Sequence, residues 1–509
     1  LAAFVFSARA QTPAWASSIG SNTNDNLNNL VTDAAGNVYA TGNFQATTND
    51  FDPGAGTLSL PIYGNVDCYI YKADANGNVL WAKSIGGAGI DIGKGIAVDA
   101  NGNVIVCGYF NSTADFDPGA GTFYLTSVGN NDAFVLKLDA NGNFLWATGV
   151  GSTGNDVAND VTTDASGNVY YSGSFTGNCD FDPGAGVYVQ ASPSGENAFV
   201  SKLTSAGAFV WEVPVDGFAI CRAVALTTSG TDLVVGGTFT GTGDFDPNGT
   251  FNIASASAGV KPWVWKITQA AGALVWAKAF GSTSTTNDEI RDLDVDASGN
   301  IYTTGYFRNV CDFDPDAGTA NMLAASSFSG FVQKLNSSGA YQWAGQFASS
   351  NTSGCFSVDV DASGNLLVGG NHLGKTDLIM SSDTFFITSN GGVSNCGFYA
   401  KLNSSGGLLS GGTLNDNFGQ GAIVYGVAMS TNGTMVMGGT YLNQLDYNPT
   451  SALQQITNPN PSFLHCFIVK MDSCFVPEFS ISPSTIHTCA GNSATVTLSG
   501  SVDTNNYQL

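Results

Sequence analysis

Pro13-Ala-Trp-Ala-Ser-Ser-Ile-Gly20, near the start of the chain, matches Leu80-Trp-Ala-Lys-Ser-Ile-Gly86 one repeat later. The tryptophan recurs as Trp15, Trp81, Trp146, Trp211, Trp276 and Trp343, at steps of 66, 65, 65, 65 and 67 residues. One unit copied at so long a period points to a repeat architecture. Its second copy shows the unit most clearly. Gly95-Ile-Ala-Val-Asp99 alternates, turns at Ala100-Asn-Gly-Asn103, and continues as Val104-Ile-Val-Cys-Gly-Tyr-Phe110. A long loop carries Asp115-Phe-Asp-Pro-Gly-Ala-Gly-Thr122. Ala133-Phe-Val-Leu-Lys-Leu138, a turn at Asp139-Ala-Asn-Gly-Asn143, and Phe144-Leu-Trp-Ala147 complete it. Short β-rich runs between Asn/Gly turns read as antiparallel strands joined by hairpins, four per copy, here named a to d.

The a–b turn glycine marks seven copies: Gly36, Gly102, Gly167, Gly230, Gly299, Gly364 and Gly433. Strand c carries a lysine in each: Lys72, Lys137, Lys202, Lys266, Lys334, Lys401 and Lys470. The aspartates before the turn, Asp33, Asp99, Asp164, Asp296 and Asp361, are expected to cap their own turns or to pair with these lysines. After Lys470-Met-Asp472 no strand d follows, and the segment around Trp15 supplies the missing one. The expectation is all-β: a seven-bladed β-propeller of four-stranded antiparallel blades over residues 11–472, closed by an N-terminal strand that completes the last blade. Each tryptophan is expected to pack on strand d, where a large aromatic buries about 150–250 Å². That is an upper bound on the order of 4–6 kcal/mol. Copy six has Ser410 instead, so blade six is expected to pack least well.

Asp164-Ala-Ser-Gly-Asn-Val-Tyr170, Asp132-Ala-Phe-Val-Leu-Lys-Leu-Asp139 and Phe144-Leu-Trp-Ala147 resemble the bacterial SBBP (seven-bladed β-propeller) repeat. The resemblance implies a secreted or cell-surface protein, commonly multidomain, often from bacteria that use type IX secretion. It implies no particular reaction.

Net charge is −24 with only 11% charged residues, which disfavours nucleic acid as a partner and fits a folded chain. Residues 1–10 read as a signal-peptide remnant ending in Ala8-Arg-Ala10. Residues 473–509 read as the start of an immunoglobulin- or PKD-like module, with Ala494-Thr-Val-Thr-Leu-Ser-Gly500 as an early strand. Export makes disulfides expected. Cys179 and Cys311 share one register and Cys221 and Cys355 another, one blade on, so Cys179–Cys221 and Cys311–Cys355 are the expected pairs. Each would contribute roughly 4 kcal/mol in the loop-entropy model. Cys474 and Cys489 are expected to pair in the last module; Cys68, Cys107, Cys396 and Cys466 have no assigned partner.

One constellation with chemical potential recurs: Asp50-Phe-Asp52, Asp115-Phe-Asp117, Asp180-Phe-Asp182, Asp244-Phe-Asp246 and Asp312-Phe-Asp314. Carboxylates at i and i+2 are candidate calcium ligands, although two fall short of a shell of about 6–8 oxygens. The structural alternative is an Asx turn followed by Pro-Gly, with the phenylalanine anchoring the loop. Asp25, Asp91, Asp156, Asp160, Asp288 and Glu289 fall on the same face and suggest an acidic surface favouring cationic or metal-bridged partners. Three histidines stand outside any zinc motif, and no Gly-x-Ser-x-Gly elbow occurs. The sequence therefore favours a non-enzymatic extracellular interaction or scaffold module, a single propeller within a longer chain, contacting a protein or glycan. The alternative is an extracellular carbohydrate-active enzyme, a glycosidase or lyase, that uses acids on the loop face. Trp263 and Trp265 in blade four are candidate sugar-stacking residues, with core packing the plainer reading.

Overall fold

The computed structural model describes residues 13–472 apart from short segments (185, 218, 227–229, 247–248, 256–257, 390–394, 415–420, 431–432 and 449–452), together with 479–481 and 484–486. The expected signal remnant at 1–10 lies outside the described residues. So does most of the expected C-terminal module, of which one hairpin, Phe479–Ile481 with Ser484–Ile486, is described.

Seven four-stranded antiparallel sheets follow one another around a ring, and the described residues contain no helix. Blade two is representative: Ile92–Val98 (a), Val104–Phe110 (b), Asp132–Leu138 (c) and Phe144–Val150 (d), hydrogen-bonded in that order. Blade seven takes a, b and c from Ala422–Met429, Met435–Tyr441 and His465–Met471, and d from Pro13–Ser21. Its closing register pairs Trp15 with Lys470, Ala16 with Val469 and Ile19 with Cys466. The ring is therefore sealed by main-chain ladders, as the Trp15 segment indicated.

Neighbouring blades are joined by a device that the repeat conceals. Five of the six strand-d tryptophans are only partly buried; Trp211 alone is buried. Each indole N–H donates to a carbonyl in the c–d turn of the next blade: Trp15 to Ala75, Trp81 to Ala140, Trp146 to Ser205, Trp211 to Gln269, Trp276 to Ser337 and Trp343 to Ser404, at 3.1–3.4 Å. The strand-c lysine of the same blade donates to the same carbonyl, as Lys72 does to Ala140 at 2.9 Å and Lys470 to Ala75 at 2.6 Å. The turn glycine leaves room for the indole. Gly142 has φ +77°, and a Cβ there would sit 3.1 Å from Trp81. Tryptophan is thus an inter-blade clasp more than a core residue, and the burial expected from sequence was too large.

The clasp also accounts for Ser410. Blade seven draws c and d from opposite ends of the chain and has no c–d turn, so a tryptophan on blade six would lack its acceptor. Lys401 turns instead to the Gly433 carbonyl of the a–b turn, at 3.2 Å. Ser410 is 2% exposed. Ser410→Trp is accordingly expected to destabilise the protein by about 1–3 kcal/mol through overpacking, measured as a fall in denaturation midpoint. A gain would show that the clasp does not need the turn.

The aspartates before the a–b turns behave as the sequence suggested. Asp99 accepts the amides of Asn101 and Asn103 and pairs with Lys137 at 2.9 Å.

The cysteine reading needs correction. Cys179, Cys311 and Cys355 are free and fully buried, so neither Cys179–Cys221 nor Cys311–Cys355 is formed. Cys311 packs with Phe307, Phe313 and Phe331, whereas Cys355 packs with Val332, Phe347 and Phe398 in the next core. Cys179 fills a third, beside Phe175 and Phe181. Each serves as a small apolar side chain at a blade junction. The Cys221 side chain, Cys474 and Cys489 lie outside the described residues. Cys68, Cys107 and Cys466 are also free, and they and Cys396 are buried.

Candidate functional site on the propeller axis

The Asp-Phe-Asp loops are built from within. Asp115 Oδ1 accepts the amides of Asp117 and Phe123, closing the loop's neck, and Asp117 Oδ1 accepts that of Gly119. Asp50, Asp180, Asp244 and Asp312 close their necks in the same way. Asp52, Asp182 and Asp314 make the same i+2 turn, while the Asp246 carbonyl receives Gly249. The phenylalanine between them is buried in every copy and packs edge-on to a strand-b phenylalanine; Phe116 lies 5.2 Å from Phe110 at 86°. Copies six and seven have Leu378 and Leu445 in its place, both fully buried. Among the described residues no group of three or more His, Cys, Asp or Glu is arranged to hold a metal.

The acids assigned to the loop face do not form an acidic surface. Asp25, Asp91, Asp156 and Asp288 are 0–1% exposed and accept backbone amides at the blade junctions. Trp263 and Trp265 are fully buried and pack around Phe245, the plainer of the two readings.

Chemistry that does not repeat lies on the axis. Every strand a carries a β-bulge at one register. A bulge leaves one residue unpaired and re-aims its side chain. The seven bulged residues are Asn28, Lys94, Asn159, Arg222, Arg291, Phe356 and Tyr425, and all seven line a cavity of about 230 Å³ at the centre of the ring. The turn glycine that follows is the same in all seven copies, yet this ring holds amides, cations and aromatics. Two of the chain's four arginines are here.

The cations are held by aromatic and acidic neighbours. Arg291 donates to the Tyr306 hydroxyl at 3.2 Å and pairs with Glu289 at 3.1 Å, and its guanidinium lies 6.0 Å from the Phe356 ring centre. Phe356 and Tyr425 stack obliquely at 5.7 Å. The Nε groups of Arg222 and Arg291 are buried without a hydrogen-bond partner. Burial, and then the positive charge of Arg222 and Arg291, lowers the pKa of Lys94. Burial, and then repulsion from Asp160, raises Asp292 to about 8, so near neutral pH its carboxyl is largely protonated. The cavity walls therefore carry more positive than negative charge, in a chain of net charge −24. Such a site can receive an anion, with guanidinium donors for its oxygens and aromatic faces for an attached apolar or sugar-like body.

None of these axial residues was singled out from the sequence for this role; Asp160, beside Asn159, and Glu289, the partner of Arg291, were named only as acids of one face. The signal was present, since each bulged residue stands eight positions before its a–b turn glycine.

No protein-family model matches the chain. Over 154 residues it is 33% identical to an uncharacterised WD repeat-containing protein, L264, of Acanthamoeba polyphaga mimivirus, a match covering 29% of this chain and 11% of that protein. Over 160 residues it is 27% identical to the regulatory protein FlaEY of Caulobacter vibrioides, covering 31% of this chain and 16% of that protein. The chain thus spans less than a fifth of either relative. Among solved structures, it is similar to the Dos1 propeller, at 8% identity and TM-score 0.42, covering 91% of this chain and 95% of that one. It is also similar to the hydrazine synthase of Kuenenia stuttgartiensis, at 11% identity and TM-score 0.42, covering 85% and 96%.

Proposed function

We propose that this chain is an exported, non-enzymatic binding module whose axial cavity takes a single anionic group, a carboxylate or sulfate, borne by an extracellular protein or glycan. The observation that carries the reading is the ring of seven bulged residues. They differ from copy to copy at one register, and Lys94, Arg222 and Arg291 gather there in an acidic chain. Export is supported by the Ala8-Arg-Ala10 segment and by the SBBP-like repeat. A net charge of −24 disfavours long polyanions, so the ligand is a short or singly charged terminus. The loop aspartates are turn-forming groups in this reading, and calcium is not needed at Asp50, Asp115, Asp180, Asp244 or Asp312.

The rival reading, a glycosidase or lyase, has one observation in its favour: Asp292, protonated near neutral pH, faces the same cavity as Asp160. Against it, both Asp292 oxygens accept main-chain amides, from Leu293 at 2.8 Å and Val358 at 2.9 Å, so the carboxyl is committed to joining two blades.

The test is titration calorimetry with uronate- and sulfate-terminated oligosaccharides, with inorganic sulfate as competitor. The Arg222→Gln/Arg291→Gln double variant is expected to weaken binding at least about tenfold, near 1.4 kcal/mol. Wild-type affinity should also fall as pH rises through about 8, where Asp292 ionises and adds negative charge to the cavity. Equal binding by the wild type and the double variant would overturn the reading. Turnover of the oligosaccharide, abolished by Asp292→Asn, would favour the enzyme.

A further inference from the structure

Strand c opens, at one register, with the residue that meets the buried aspartate of the next blade. At the junction of blades four and five this residue is Lys261. Its Nζ lies 2.8 Å from Asp288 Oδ2, 2.9 Å from Ser282 Oγ and 2.8 Å from the Thr286 carbonyl. At the junction of blades seven and one it is His465, 3.4 Å from Asp25 Oδ2. In both places a basic side chain faces one buried carboxylate.

At the junctions of blades one and two, and of two and three, the same register holds an aspartate instead. Asp67 faces Asp91, and Asp132 faces Asp156; all four are 0–3% exposed. A Cβ on Gly86 would lie 2.6 Å from Asp67 Oδ1 and 2.9 Å from Asp91 Oδ2. The two oxygens are therefore no farther apart than those distances together, close to the span of two calcium–oxygen bonds of about 2.3–2.6 Å each. Asp67 Oδ1 and Asp132 Oδ1 make no hydrogen bond, although both are buried. Each lies at the register where its counterpart Lys261 brings a positive charge. Two facing carboxylates in a low-dielectric site are costly unless positive charge joins them.

We propose that the Asp67/Asp91 and Asp132/Asp156 junctions each bind one hard divalent cation, of the calcium class, in the place that Lys261 Nζ fills between blades four and five. Charge balance selects the valence: one ammonium answers one carboxylate, and two carboxylates call for a divalent ion. An all-oxygen donor set selects a hard metal. The ions would clasp blades one to three. The inference is independent of the axial cavity and places calcium at the junctions rather than in the Asp-Phe-Asp loops.

The experiment is calcium binding to the full chain at pH 7.5 by equilibrium dialysis, with melting followed in calcium and in EGTA. Two ions per chain are expected, with a melting temperature that rises and saturates in calcium. Asp132→Asn should lose one ion. Asp67→Lys, which installs the residue of blade four, should lose one ion and keep its fold in EGTA. Asp117→Asn, in the loop, should still bind two. Absence of saturable calcium binding by the wild type, with the same melting temperature in calcium and EGTA, would overturn the proposal whatever the variants do. Loss of an ion in Asp117→Asn with both retained in Asp132→Asn would return calcium to the loops and overturn it equally.

Discussion

A chain beginning at Asn22 is expected to lose cooperative unfolding altogether. Residues 13–21 bring no separate core. They supply the fourth strand of blade seven, and with it the ladder that joins the last blade to the first. Ile19 is fully buried, packed with Phe44 and Phe51 of blade one and Ile468 of blade seven. Trp15 clasps the Ala75 carbonyl of blade one. Without the strand, the Phe467–Met471 edge loses its partner, the blade-one face it covers is wetted, and one clasp of the ring is gone together. Each blade is too small to bury its faces alone, so an opened ring loses stability at both ends. Thermal melting followed by near-ultraviolet circular dichroism reads the effect. A synthetic peptide spanning 11–22, added in trans, should restore the transition. Cooperative melting of the truncated chain at an unshifted temperature would show that the ring closes in some other way.

The second large effect lies in the loop aromatics. Phe181 is fully buried, edge-on to Phe175 at 5.2 Å and tilted against Phe199 at 4.9 Å. Phe181→Ala is expected to cost about 3–5 kcal/mol, from lost transfer energy and the cavity left behind. Phe181→Leu should cost less than about 1.5 kcal/mol, because leucine fills this place in blades six and seven as Leu378 and Leu445. Denaturant midpoints of the two variants make the comparison. Equal losses for Ala and Leu would mean that the Asp180 and Asp182 turns hold the loop and the ring does not.

What could be read from sequence followed what repeats. Strand boundaries, the blade count and the closing strand were legible because Trp15 restates Trp81 where no other copy needs it. The turn aspartates were legible because Asx chemistry is local. The clasp was not, since its acceptor is a carbonyl about 60 residues away and carries no side-chain signature. Ser410 was read as a packing defect for the same reason. The cysteines misled because two registers that recur together, one blade apart on one face, were taken to be in contact. The two registers face different cores, and Cys311 and Cys355 each fill their own. The axial ring was overlooked because its residues differ from copy to copy, whereas reading by repeat rewards sameness. The column eight residues before each turn glycine, Asn28 to Tyr425, is where a difference-seeking reading would have stopped.

Ring closure by the N-terminal strand underlies the axial cavity, the junction sites and the clasp alike, and hydrogen–deuterium exchange of the intact chain tests it most directly. The amides of Ala16–Ile19 should exchange as slowly as those of Phe467–Val469, with which they form the ladder. Exchange of Ala16–Ile19 at the rate of an unpaired chain end, while Phe467–Val469 stay protected, would contradict the closed ring.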